Sequence, residues 1–224
     1  MELLKNLAHP ADAVVAFKCM ETDCFYMKRA TMADTDNCTK NWHLLPVCTS
    51  LNGRNKSAPI TCNNQSVKLK LEPTTAPFGA GNFNKEELVR LNLDLSCTEA
   101  HLELLTQIDK WAFEQLSKDS KSYFKKQLSA TELLAAYRPC ATPHEKDGIQ
   151  YPPTMRLKIM TEGPNKVRCW TPSKELREMP KEFRNCIITA QATVKSIWLM
   201  NGQAGVLFEC YDLVVEEQDV SCPF

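Results

Sequence analysis

The sequence predicts a mainly β fold with one long helix set into it. Three observations carry that expectation. Hydrophobicity alternates with period two from Tyr151 to Tyr211, apolar residues recur at three- and four-residue spacing only after Ser96, and turn residues punctuate the rest. A chain of 224 residues can bury one sizeable core, and β domains of that length are commonly single. One domain is therefore expected over residues 1–215.

Residues 1–83 are loop-rich. Pro46, Asn52-Gly53, Asn55, Pro59 and Asn63-Asn64 separate short strand-like runs at Val14–Phe17 and Val67–Leu71. In the second run Lys68 and Lys70 share one face and Leu69 and Leu71 the other, as in a half-buried strand. Pro77-Phe78-Gly79-Ala80-Gly81 then turns the chain.

The middle, residues 97–137, is a helical insertion. Ser96-Cys97-Thr98-Glu99 fits a capping box, and Leu102, Leu105, Ile108, Ala112 and Leu116 lay one apolar stripe along a helix over 97–117. A second box, Ser129-Ala130-Thr131-Glu132, opens a short helix through Leu133, Leu134 and Tyr137 that Pro139 ends. Trp111 and Phe113 are assigned to packing.

Residues 151–215 supply strands. Met155, Leu157 and Ile159 alternate with Arg156 and Lys158, so burying the first set presents two cations side by side. Val167-Arg168-Cys169-Trp170 repeats the device with Arg168 and Trp170 outward. A long strand over Cys186–Met200 carries Lys195 and Trp198, Asn201-Gly202 suits a hairpin turn, and the return strand over Gly205–Val215 sets Val206, Phe208 and Cys210 against Leu207, Glu209 and Tyr211. Several strands with one inserted helix describe a small closed barrel of the OB type, preceded by a loop-rich N-terminal extension whose part in the barrel, residues 1–76, stays open. Composition also allows a sandwich.

The formal net charge of +0 conceals an uneven distribution: +2 over residues 1–83, −4 over 84–109, +6 over 110–210 and −4 over 211–224. A local field of that kind acts although the total vanishes. Basic strands carrying aromatics are what a polyanion held by charge and stacking requires, and they point to single-stranded nucleic acid. Arg156, Lys158, Arg168 and Lys195 are the candidate phosphate contacts, and Trp170, Trp198, Tyr151 and Tyr211 the candidate stacking residues.

Eleven cysteines, five of them in the first 62 residues, and Asn-x-Ser/Thr triplets at Asn37, Asn55 and Asn64 would suit a secreted, disulfide-stapled module. No leader is read at the N-terminus, because His9, Pro10 and Asp12 interrupt any apolar run, and an intracellular location with free thiols is expected. Disulfides and a zinc site at Cys19-x4-Cys24 stay open. No stretch reaches the roughly 18 apolar residues of a membrane span. Enzymatic chemistry finds no footing: His9, His43, His101 and His144 are scattered, Pro77–Gly81 lacks the Lys-Ser/Thr of a phosphate loop, and Asp94, Asp109 and Asp212 show no nuclease spacing. No catalytic residue and no cofactor or metal is expected.

The succession Tyr123-Phe124-Lys125-Lys126-Gln127-Leu128, Glu132-Leu133, Tyr137-Arg138-Pro139, Tyr151 through Lys158, and Ile197-Trp198 with Asn201 through Val206 resembles the single-stranded DNA-binding proteins of podophage replisomes and their relatives in large eukaryotic DNA viruses. The resemblance covers residues 77–224; the cysteine-rich first 76 match poorly. It implies an OB-fold that coats unwound DNA without catalysis in replication, recombination or repair, often as a homodimer, at sites of replication in a nucleus or viral compartment. It also implies an acidic C-terminus ending in an aromatic residue that contacts DNA polymerase and helicase-primase and competes for the DNA groove. Residues 216–224 match that tail in Glu216, Glu217, Asp219 and the terminal Phe224, although they are fewer and less acidic than the family's. The alternative from another class is a structural or adaptor barrel whose basic face binds an acidic protein.

Overall fold

The computed structural model describes residues 17–18, 39, 41–49, 56–81 and 89–217. In chain order these form β1 (Phe17–Lys18), β2 (Trp42–Leu44), β3 (Cys48–Thr49), β4 (Lys56–Cys62), β5 (Gln65–Lys70), β6 (Thr74–Thr75), β7 (Ala80–Gly81) and β8 (Arg90–Ser96). Three helices follow: α1 (Glu99–Lys118), α2 (Ser120–Phe124) and α3 (Ala130–Ala136). The remaining strands are β9 (Tyr137–Arg138), β10 (Ala141–Lys146), β11 (Ile149–Met160), β12 (Arg168–Trp170), β13 (Leu176–Arg177), β14 (Ile187–Met200) and β15 (Gln203–Glu216). The chain is thus mainly β. Of the run expected at Val14–Phe17, only Phe17 lies among the described residues.

The main hydrogen-bonded path runs β1-β5-β4-β14-β15-β11-β8-β7, and among the described residues it does not close on itself. A closed ladder was expected. The short β6 instead links β14 to β8: it pairs with β14, and Thr74 donates to the Ser96 carbonyl at 2.7 Å while the Thr75 and Ser96 hydroxyls meet at 3.2 Å. Strands as short as β6 offer too few backbone groups for a ladder.

The inner face is one continuous core. Met155, Leu157 and Ile159 of β11 join Phe208 and Cys210 of β15 there, with Leu105, Ile108, Ala112 and Leu116 of α1 covering them. Trp111 meets Trp42 edge-on at 5.3 Å, and Phe113 meets Tyr137 at 6.4 Å. Both rings pack, as expected.

Helix α1 starts later than expected. Its N-cap is Thr98, whose hydroxyl accepts from the His101 N–H at 3.2 Å while His101 Nδ1 accepts from the Thr98 N–H at 3.3 Å. The Ser96 to Glu99 box is therefore not used, because Ser96 is held in β8 opposite Thr154. Helix α3 does use Ser129 and Glu132 reciprocally. The extra helix α2 ends on Lys125 in the left-handed region, φ 64°.

Two hairpins dominate. Asp147-Gly148, at φ 54° and 75°, joins β10 to β11, and Asn201-Gly202, at φ 51° and 74°, joins β14 to β15. Positive φ at both central residues is what a two-residue hairpin turn needs. The β14–β15 ladder carries two irregularities. Lys195 stands between Val194↔Phe208 and Ser196↔Leu207 without a partner of its own, and Tyr211 stands so between Ala192↔Cys210 and Gln191↔Asp212. Each is an extra residue in a bulge, a device that re-aims side chains on one face of a sheet.

Candidate functional site

On the outer face β5, β14 and β15 bring Lys68, Thr193 and Glu209 into one cross-strand row, which β11 extends with Lys158. A second row runs Lys70, Gln191, Asp212 and Arg168 over β5, β14, β15 and β12. Their inward neighbours Val67, Leu69, Ala192, Phe208 and Cys169 are buried, so alternation alone turns these polar side chains outward. Along the first row, and reaching Arg168 of the second, lies a groove of about 380 Å³ lined chiefly by Lys68, Lys166, Arg168, Lys195, Glu209 and Tyr211. The two bulge residues, Lys195 and Tyr211, both reach it.

Cations and rings are paired in and beside this groove. The Lys68 ammonium lies 5.5 Å from the Tyr211 ring centroid and the Arg168 guanidinium 5.8 Å from that of Trp170. The Tyr211 hydroxyl donates to Gln191 Oε1 at 3.2 Å, and burial, followed by the charge of Asp212, pushes its pKa up to about 12, so the ring stays neutral.

Carboxylates answer Arg168, Arg156 and Lys195 among the expected cations. Arg168 donates through Nε and Nη2 to Asp212 at 2.7 and 2.6 Å, and the indole N–H of Trp170 reaches the same carboxylate at 2.8 Å. Arg156 holds Asp94 through Nε and Nη2 at 2.7 and 3.0 Å, and Lys195 holds Glu209 at 3.2 Å. The hydrogen bonds they donate to Asp212 and Asp94 raise the basicity of Arg168 and Arg156. Asp94 and Asp212 come from the two acidic segments of the chain, so folding cancels part of the +6 counted over residues 110–210. Lys68 and Lys166 have no carboxylate within ion-pair distance among the described residues.

The structure therefore gathers Arg168, Lys195 and Tyr211 at the groove, with Trp170 beside Arg168 and Lys158 opposite Glu209. Arg156 sits farther out, against Asp94 on β8. Tyr151 belongs to the β10–β11 hairpin, opposite His144, and is 48% exposed away from the groove lining. Trp198 lies flat across Gly205, its cross-strand partner, near the other hairpin turn: a Cβ on Gly205 would meet the indole at 2.7 Å. Two lining cations escaped the sequence reading. Lys68 was visible as the outward residue of an alternating strand, whereas nothing local marks Lys166, which the loop before β12 delivers.

At the C-terminus, Glu216 is the last residue of β15, opposite Ile187, and Glu217 accepts from Arg177 of β13 at 2.6 Å. Asp219 and Phe224 lie outside the described residues. Among the described cysteines Cys48, Cys97, Cys140, Cys169, Cys186 and Cys210 are free thiols, and Cys19 and Cys24 lie outside the described residues. Among the described residues no group of His, Cys, Asp and Glu is arranged to hold a metal, and no helix is long and apolar enough to cross a membrane.

No family model and no curated protein matches the chain. Among solved structures it is similar to a C-terminally truncated single-stranded DNA-binding protein from bacteriophage Enc34, at 11% identity and a TM-score of 0.41, covering 80% of this chain and 98% of that one. It is also similar to the Enc34 single-stranded DNA-binding protein in complex with ssDNA, at 10% identity and a TM-score of 0.40, covering 79% and 96% of the two chains.

Proposed function

We propose that the protein binds single-stranded DNA in the groove on its outer face, without sequence preference and without catalysis. The observation that carries this reading is the convergence of Lys68, Lys166, Arg168 and Lys195 around the Tyr211 ring. Ammonium and guanidinium groups along an open groove suit a phosphate chain, and a neutral ring among them suits an unpaired base, whose face is free only in a single strand. Glu209 and Asp212 are occupied by Lys195 and Arg168, which leaves the groove cations and rings rather than an acid–base pair. The architecture belongs to the same proposal: an OB-type barrel whose last seam is closed by the Thr74 and Thr75 contacts to Ser96. So does a role in replication or repair, with Glu216, Glu217, Asp219 and Phe224 recruiting a polymerase or helicase-primase, a part supported by the sequence resemblance alone.

Fluorescence anisotropy with labelled oligothymidylate and a matched duplex tests the proposal. Single strand should bind much more tightly, and equal affinity would overturn it. The salt dependence locates the contacts. Each phosphate neutralised by an unpaired cation adds about 0.7 to the slope of log K against log salt for a single strand, so Lys68→Ala with Lys166→Ala should shallow it by about 1.4. Arg156→Ala should change it little, because Asp94 already answers that charge. Retention on an acidic protein with none on single-stranded DNA would favour an adaptor barrel instead.

A further inference from the structure

Two carboxylates bind cations of the groove, and they do so differently. Glu209 meets Lys195 through one contact at 3.2 Å. Asp212 accepts three donors, Arg168 Nε at 2.7 Å, Arg168 Nη2 at 2.6 Å and Trp170 Nε1 at 2.8 Å, and its side chain is only 14% exposed while that of Arg168 is 60% exposed. The guanidinium is thereby fixed along one edge, and Nη1 is not engaged by Asp212. The bulge sets this up, because it leaves Tyr211 unpartnered directly beside Asp212, so consecutive residues serve the groove and its arginine.

Charge alone makes Asp212 a hindrance, since a carboxylate beside a phosphate contact opposes a polyanion. Order is what offsets it. A free arginine loses rotamer freedom on binding, whereas one already held in a fork loses little. We propose that Asp212 is a positioning residue for DNA binding: it locks Arg168 and Trp170 into one unit beside Tyr211, so that the guanidinium and the rings meet the strand already arranged. This rests on the groove being the single-strand site.

The two carboxylates give opposite expectations for the same change of charge. Wild type, Glu209→Gln, Asp212→Asn and Asp212→Ala are titrated with labelled oligothymidylate at one salt concentration. Thermal melts check folding, and the Trp170 indole N–H resonance is followed without DNA. Glu209→Gln should bind a fewfold tighter, as removal of a negative charge from a phosphate site does. Asp212→Ala should bind roughly tenfold more weakly despite removing the same charge, with the indole resonance shifted in the free protein. If Asp212→Ala does not fold, the near-isosteric Asp212→Asn decides, and it too should bind more weakly than Glu209→Gln. A folded Asp212 variant that binds as tightly as Glu209→Gln makes Asp212 a countercharge only and overturns the proposal while the groove stands. Wild type that binds no oligothymidylate overturns the groove assignment, and this proposal with it.

Discussion

Asp109 and Asp212 face opposite sides of the same sheet and do opposite work. Asp109, on α1, accepts from the Tyr137 hydroxyl at 2.7 Å and from the Cys140 N–H at 3.0 and 3.1 Å, and burial raises its pKa. Its partners are neutral and lie at the start of β9 and just before β10, so it joins the helical insertion to the strands that follow. Asp212 holds a guanidinium and an indole at a solvent-exposed groove. An aspartate with neutral donors in the interior is a joint; one with a cation at the surface sets the aim of that cation. The residue type says nothing of which it is, and the charge of the donors decides.

The sharpest way to test the contrast is to remove the joint. Asp109→Ala leaves the Tyr137 hydroxyl and the Cys140 N–H without their acceptor, and denaturant unfolding should show a loss of about 3 kcal/mol. The folded fraction should keep its affinity for oligothymidylate. A matching loss of affinity would mean that the two sides are coupled. Gly205→Ala probes an outward ring that the structure uses for packing. The added Cβ lies 2.7 Å from the Trp198 indole, and overpacking of this kind costs about 1–3 kcal/mol. Stability should fall and binding should hold; if instead binding is lost without stability, Trp198 belongs to the site.

The smallest expected effect is a pH dependence on the interior side. Burial lowers the pKa of His101 below 6.5, so the unfolded state takes up its proton first. The stability it contributes is present above that value and is lost as pH falls through the depressed native pKa. Protonation also ends the acceptor role of Nδ1 at the Thr98 cap. His101→Gln keeps a side chain able to close a capping box and does not titrate, so its melting temperature should fall less than that of wild type between about pH 7.5 and about pH 5.5. An identical fall in both proteins would place the sensitivity elsewhere.

What the sequence made legible was local or periodic. Met155, Leu157 and Ile159 announce their strand by alternation, Asn201-Gly202 its turn, and Ser129 with Glu132 the start of α3, because each signal lies within a few residues. The true cap of α1 was missed because a histidine at its third position is not the usual partner of a threonine. The groove was half visible: Arg168, Lys195 and Tyr211 lie on faces that period two assigns, but their company does not. Asp94 is 62 residues from Arg156 and Asp212 is 44 from Arg168, and only strand order brings them together. The same order joins Lys68 and Lys166 to a site that no local pattern links them to.

The paired bulges of the long hairpin behave like a shift of reading frame and its compensation. Lys195 is one residue too many on the outgoing strand and Tyr211 one too many on the return, so only the rungs between them are offset, and Ile187↔Glu216 lies in the same frame as Met200↔Gln203. Deleting either residue alone should force one end of the hairpin to slip, turning core side chains to the other face and unfolding the protein. Deleting both should restore a regular ladder, each lesion suppressing the other, and return a folded protein whose groove has lost an ammonium and a ring in a single step.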